Sequence, residues 1–191
     1  NTPNDIISKL ENFNNTEIIK MGEGDWTGMF WRFYPASEDN VEIMLSRDTD
    51  SRLNSRESAA VNEWIKSDKG FHIMRDHPQH GTAILGGMWG CKKGILPTMG
   101  SLMNYYTKGN FWQVDQAFLR DLIYPLIKDN AFVHSDAPIT SGYELWEAGT
   151  SFPTPRDENH FVGQAYAGCG RILDGEEYFQ DYMRREYDAQ K

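Results

Sequence analysis

The sequence has no apolar run long enough to cross a bilayer, no Lys/Arg-rich tract and only two cysteines among its 191 residues. The first absence excludes a transmembrane helix. The second excludes a nucleic-acid partner, because a phosphate backbone calls for a basic face. Here 19 Lys+Arg face 28 Asp+Glu, a formal net charge of -9 and a pI near 5.0. Cys91 and Cys169 lie far apart and show no CxxC spacing, so a zinc site built on them is not expected. Reduced thiols in a cytoplasmic protein are the default reading, and one disulfide is the alternative. No signal-peptide pattern and no Met open the chain, which reads as a processed or trimmed piece.

Internal repeats, low-complexity stretches and linkers are also missing. One domain over 1–191 is expected, with a front of 1–40, a core of 41–134 and a C-terminal loop and helix over 135–191. What the chain does have is aromatic residues: 6 Trp, 9 Tyr and 10 Phe, or 13%. They suffice for a core and leave rings over for a binding surface.

Apolar spacing predicts a short helix over Asp5–Phe13, a strand over Glu17–Met21 and a helix over Met29–Tyr34 stopped by Pro35. A strand over Val41–Ser46 follows, then a helix over Ser55–Lys66 with Ser55 and Glu57 at its start. Further strands are expected at Phe71–Met74 and Ala131–His134, and helices at Leu96–Tyr106, Asp115–Ile127 and Glu176–Ala189. Gly86–Cys91 reads as a loop entering a short strand. Alternating strands and helices imply an α/β fold with a partly parallel sheet. Sites in such sheets lie beyond the carboxyl ends of the strands, where Arg47-Asp48-Thr49-Asp50-Ser51-Arg52, Arg75-Asp76-His77-Pro78 and His134-Ser135-Asp136 fall.

Asp48 and Asp50 repel unless a cation sits near them. Their hard oxygens suit Mg²⁺ or Mn²⁺, with Arg47 and Arg52 placed to grip the carboxylates or a diphosphate. An acidic turn is the plain alternative. Arg75, Asp76, His77 and His80 read as a polar wall for hydroxyls or phosphate, or as a solvated salt-bridged loop. Gly86-Gly87-Met88-Trp89-Gly90 offers close backbone approach beside a stacking ring, although a buried Trp in a tight turn fits equally. It is no P-loop, because the Gly-Lys-[Ser/Thr] ending is missing. Asp115-Gln116 stands at a helix start, as a cap or as a substrate-binding or general-base pair. His134 is either a core histidine or a metal ligand, with His160 as its competitor.

Arg-Asp-x-Asp-Ser-Arg, then Arg-Glu-x-x-Ala-Val-x-x-Trp, Phe-His-x-Met-Arg-Asp-His-Pro, Gly-Gly-Met-Trp-Gly and a later Asp-Gln all occur between about Trp26 and His134. In this combination the chain resembles a family of GT-A-type glycosyltransferase-like proteins of microbes and large viruses. The resemblance implies a mostly parallel GT-A-like sheet flanked by helices. It also implies transfer of a sugar from a UDP- or GDP-linked donor to a carbohydrate or other hydroxyl acceptor. Mn²⁺ or Mg²⁺ would be held by Asp48, Asp50 and His134. Arg47, Asp48, Arg52 and Arg75 would face the nucleotide. His77, Gly86, Gly87, Trp89 and Gln116 would frame sugar and acceptor, with Asp115 or Asp76 as the base. Asp48 comes early for the pattern, so a short front or a missing first strand is expected. A metal-dependent phosphoesterase and a non-catalytic carbohydrate-binding domain are the alternatives.

Overall fold

Phe71–Arg75 carries apolar or large side chains toward both faces of the sheet, and all five residues are buried. It forms an interior strand, β2, in the computed structural model, which describes residues 2–106, 109–136, 149–156 and 160–166. With β1 (Ile43–Arg47), β3 (Met88–Lys92) and β4 (Ala131–Ser135) it makes a four-stranded sheet of order β1-β3-β2-β4. β3 is antiparallel to both β1 and β2, and β2 and β4 are parallel. The mixed α/β class is as expected, but a mostly parallel sheet is not what forms. Met88–Lys92, where a loop entering a short strand is expected, inserts between β1 and β2 and makes two of the three pairings antiparallel.

Strand alternation sorts the core. Phe71, Ile73, Trp89 and Cys91 share one face with Met44 and pack on Phe30, Phe33, Met99, Phe118 and Ile123. Trp89 is fully buried and stacks on Phe71 with ring centroids 5.1 Å apart. On the other face Met74 and Met88 meet Ala60, Phe152 and Val162, and Trp64 stacks on His72 at 5.1 Å. Cys91 is a free thiol, and burial pushes its pKa up to about 12.

Helices cover both faces. α1 (Asn4–Leu10) buries none of its residues. α2 (Ser55–Lys66) has the expected bounds, but its cap is Asn54, whose side chain accepts from the Glu57 N–H at 2.8 Å. α3 (Met99–Tyr105) is shorter than expected. α4 (Val114–Phe118) continues through one π turn, Leu119–Ile123, into α5 (Tyr124–Ile127). Pro125 cannot donate to the turn before it, and the wider turn accommodates this. Trp26–Ser37 is a 3₁₀ helix that runs through Pro35 instead of stopping there. Glu17–Met21 forms no strand: Ile19 and Met21 are exposed, with nothing to pair against. The expected helix Glu176–Ala189 and Cys169 lie outside the described residues. Among the described residues no helix is long and apolar enough to cross a membrane.

Candidate functional site

β1 ends in a tight turn. The Ser51 N–H and hydroxyl both donate to the Asp48 carbonyl, at 3.3 and 2.8 Å. The Tyr166 N–H donates to the Asp50 carbonyl at 2.8 Å and ties a later segment to the same turn. Asp48, Thr49 and Asp50 thereby reach a cleft of about 390 Å³. Opposite them stand Trp112, Gln113, Asp115 and Gln116 from the start of α4, with Arg32 of the 3₁₀ helix between. Gln113 holds a left-handed backbone, φ 65°, at this corner.

Arg32 is the residue that the sequence did not flag. One guanidinium nitrogen, Nη1, donates to Asp48 and the other, Nη2, to Asp115. Asp115 is buried while the Asp48 side chain is half exposed. Burial works against the Arg32 charge, and the two carboxylates more than offset it, so its pKa is raised. Burial, and then the charge of Asp48, holds the Asp50 carboxyl above its ordinary range.

Gly86 lines the cleft and Gly87 lies against the Asp48 turn, and neither position has room for a side chain. A Cβ on Gly86 would stand 2.6 Å from the Asp115 carboxylate. A Cβ on Gly87 would stand 2.9 Å from the Asp48 backbone nitrogen and closer still to its carboxylate. The Ser46 hydroxyl donates to the Gly86 carbonyl at 2.6 Å and holds this loop down. Gly87→Ala is therefore expected to push the Asp48 carboxylate off Arg32, at a cost of about 1–3 kcal/mol. Urea unfolding checks this, and an unchanged midpoint would show the cleft to be softer than its geometry implies.

Several residues expected at the site are engaged elsewhere. Asp76 is fully buried and accepts from Arg56, Arg156 and the Val162 N–H, so it is no free base. Arg47 donates to Glu57 of α2 and to the carbonyls of Ser46 and Trp89. Arg52 lies over the Tyr166 ring at 4.4 Å. Arg75 donates to the carbonyls of Thr82 and Ala83. His77 stacks on Phe161 at 4.2 Å. Trp89 is core, so it offers no stacking face. His80 does line the cleft, and its Nδ1 accepts from the Asp76 N–H at 3.0 Å. Its pKa is lowered to about 3, by burial first and then by the neighbouring His77 and Arg156, so the ring is neutral.

His134 does not join the aspartates. It accepts or donates to His72 across 2.8 Å and reaches Glu63 at 3.1 Å. β1 and β4 are opposite edges of the sheet, about 14 Å apart at ordinary strand spacing. Among the described residues no group of three or more His, Cys, Asp or Glu side chains is gathered for a metal. The expected set of Asp48, Asp50 and His134 is reduced to the two aspartates. His160 is exposed.

The surviving cluster is Asp48, Asp50, Gly86, Gly87, Asp115 and Gln116, to which folding adds Arg32 and Trp112. The signal for Arg32 was its position, a lone cation inside the apolar run Met29–Tyr34. No protein family, curated protein or solved structure matches the chain.

Proposed function

We propose that this protein is a metal-dependent glycosyltransferase that moves a sugar from a nucleoside-diphosphate donor to a hydroxyl acceptor. One observation carries the reading. Three carboxylates, Asp48, Asp50 and Asp115, share a glycine-lined cleft with one guanidinium and a neutral His80, which leaves a formal -2. Such a lining repels a diphosphate unless a divalent cation accompanies it. The motif resemblance points the same way.

Asp48 and Asp50 fit Mg²⁺ or Mn²⁺. Their oxygens are hard, and they sit two residues apart on one turn that faces the cleft. When bound, the ion would neutralise charge on the departing diphosphate. The chain's own residues supply the rest. Gly86 and Gly87 leave room for Arg32, Asp115 and Asp48 to pack closely against the loop and so set the carboxylates in place. Trp112, 40% exposed at the rim, offers a ring face to a sugar or base. Asp115, paired with Arg32, would accept a hydrogen bond from the acceptor hydroxyl, and Gln116 lines the same cleft.

Mn²⁺ with UDP or GDP is expected to raise the melting temperature by several degrees, and Asp50→Ala to abolish the rise. A screen of UDP- and GDP-sugars by thermal shift and by sugar release tests it. Phosphate release from a generic ester without preference for nucleotide sugars would mark a phosphoesterase instead. Glycan binding that needs neither metal nor nucleotide would mark a carbohydrate-binding domain.

A further inference from the structure

Arg32 occupies an unusual place. Phe30 and Phe33 are buried in the core on either side of it, so its backbone is anchored by aromatic packing. Its guanidinium spans two carboxylates of unlike freedom. Asp115 is 2% exposed and held at the start of α4, whereas Asp48 is 49% exposed on a turn. The bridge is also incomplete: Arg32 Nε is buried with no hydrogen-bond partner. A buried donor left unpaired is a standing penalty, so the guanidinium still has an unmet hydrogen bond in the bridged state.

We propose that Arg32 is a built-in counter-cation that competes with the divalent metal for Asp48 and, once displaced, becomes a donor to the substrate's anionic group. The proposal rests on the metal-dependent reading above. A guanidinium and a divalent cation repel each other, and one carboxylate oxygen set cannot serve both at full strength. Asp115 is the fixed partner, so Asp48 is the ligand given up. Nη1 is then left without an acceptor in a cleft that is to receive a diphosphate, whose planar oxygen pairs suit a guanidinium.

Two consequences follow. Without metal, Arg32 offsets part of the carboxylate charge and lowers the affinity of Asp48 and Asp50 for a cation. With metal, the released nitrogen adds to diphosphate binding, so metal and nucleotide strengthen each other's binding. By thermodynamic linkage the two enhancements are equal. The exchange needs no movement of the backbone, because the Asp48 side chain is at the surface.

The test is a Mn²⁺ titration of the whole chain, with free Mn²⁺ read by electron paramagnetic resonance, with and without UDP or GDP. Arg32→Gln keeps a hydrogen-bonding side chain but removes the charge. It is expected to bind Mn²⁺ alone about ten-fold more tightly than the unaltered protein, and to lose most of the tightening that the nucleotide brings, on the order of ten-fold. Equal or weaker Mn²⁺ binding by Arg32→Gln, with clear binding by the unaltered protein, overturns the competition and leaves the metal reading standing. Absence of Mn²⁺ binding by both proteins overturns the metal reading and the competition with it. Arg32→Lys serves where Arg32→Gln does not fold. A point charge cannot bridge both carboxylates, so its Mn²⁺ affinity is expected above the unaltered value, and equality counts against the proposal.

Discussion

Asp76→Asn is expected to destabilise the fold by about 3–5 kcal/mol, the largest single-residue effect predicted for this protein. Asp76 is fully buried and accepts four hydrogen bonds. Arg56 donates through Nε and Nη2, both at 2.9 Å, Arg156 through Nε at 3.0 Å, and the Val162 N–H at 2.9 Å. The amide keeps the shape but loses the charge. It also turns an NH₂ toward nitrogens that themselves need acceptors. Arg56 would retain Asp136 and its place over the Phe152 ring, at 4.3 Å, which keeps the loss finite. The same network pins Val162, and Gly163 next to it lines the cleft. The cleft wall should therefore loosen with the fold. Urea denaturation gives the number, and a loss below about 1 kcal/mol would show that these ion pairs behave as surface pairs.

The second large effect is a loss of stability on mild acidification. Burial first, and then neighbouring positive charge, lowers the pKa of His72 to about 2, and burial chiefly lowers that of His80 to about 3. Burial likewise lowers His77 and His134, although Glu63 partly opposes it at His134. In the unfolded chain a histidine takes up its proton near pH 6.5. Between that value and the lowered folded ones the unfolded state binds more protons, so stability falls as pH falls. His72 and His80, whose folded values lie far below this range, together contribute about 2.7 kcal/mol per pH unit below pH 6.5. Thermal melts between pH 7.5 and 5 should show a steep decline. His72→Phe, which preserves the stack on Trp64, should remove about half of that slope.

Asp76 does not contribute in this window. Burial by itself would raise its pKa, but the hydrogen bonds from Arg56, Val162 and Arg156 hold it below the ordinary 3.8. The stability it gives is present above that value and is lost only as pH falls through the lower folded one. A melt unchanged from pH 7.5 to 5 would thus count against the buried neutral histidines and not against Asp76. Their arrangement gives the chemical reason. His72 Nδ1 is buried without a partner. An order in which His134 Nε2–H donates to Glu63 and His72 Nε2–H donates to His134 leaves only a bare lone pair there. A second proton on His72 would bury an N–H, and a charge, with no acceptor.

Much of this fold was legible in the chain. The helix Ser55–Lys66 has the bounds that its apolar spacing and polar flanks imply, and Phe71, Ala131 and the Val41–Ser46 run are strands or strand starts as their composition suggests. These are local choices, set by side-chain spacing and capping. The sheet's direction was not legible, because a strand's period is the same whichever way its neighbour runs. Met88–Lys92 is short and contains Gly90, so its ladder is fixed by what flanks it.

The sequence by itself determined that an acidic, aromatic-rich α/β chain would carry an Asp-x-Asp turn directly after a strand, with paired glycines and an Asp-Gln downstream. Only the tertiary structure decided which of the charged residues meet. Asp48, Asp50 and Asp115 share one cleft with Arg32, while His134 stands on the opposite sheet edge and Trp89 is closed into the core. The physical reason is that strand order and burial are settled by long-range packing. A charge's partner lies tens of residues away, 83 in the case of Arg32 and Asp115, and no local pattern encodes it.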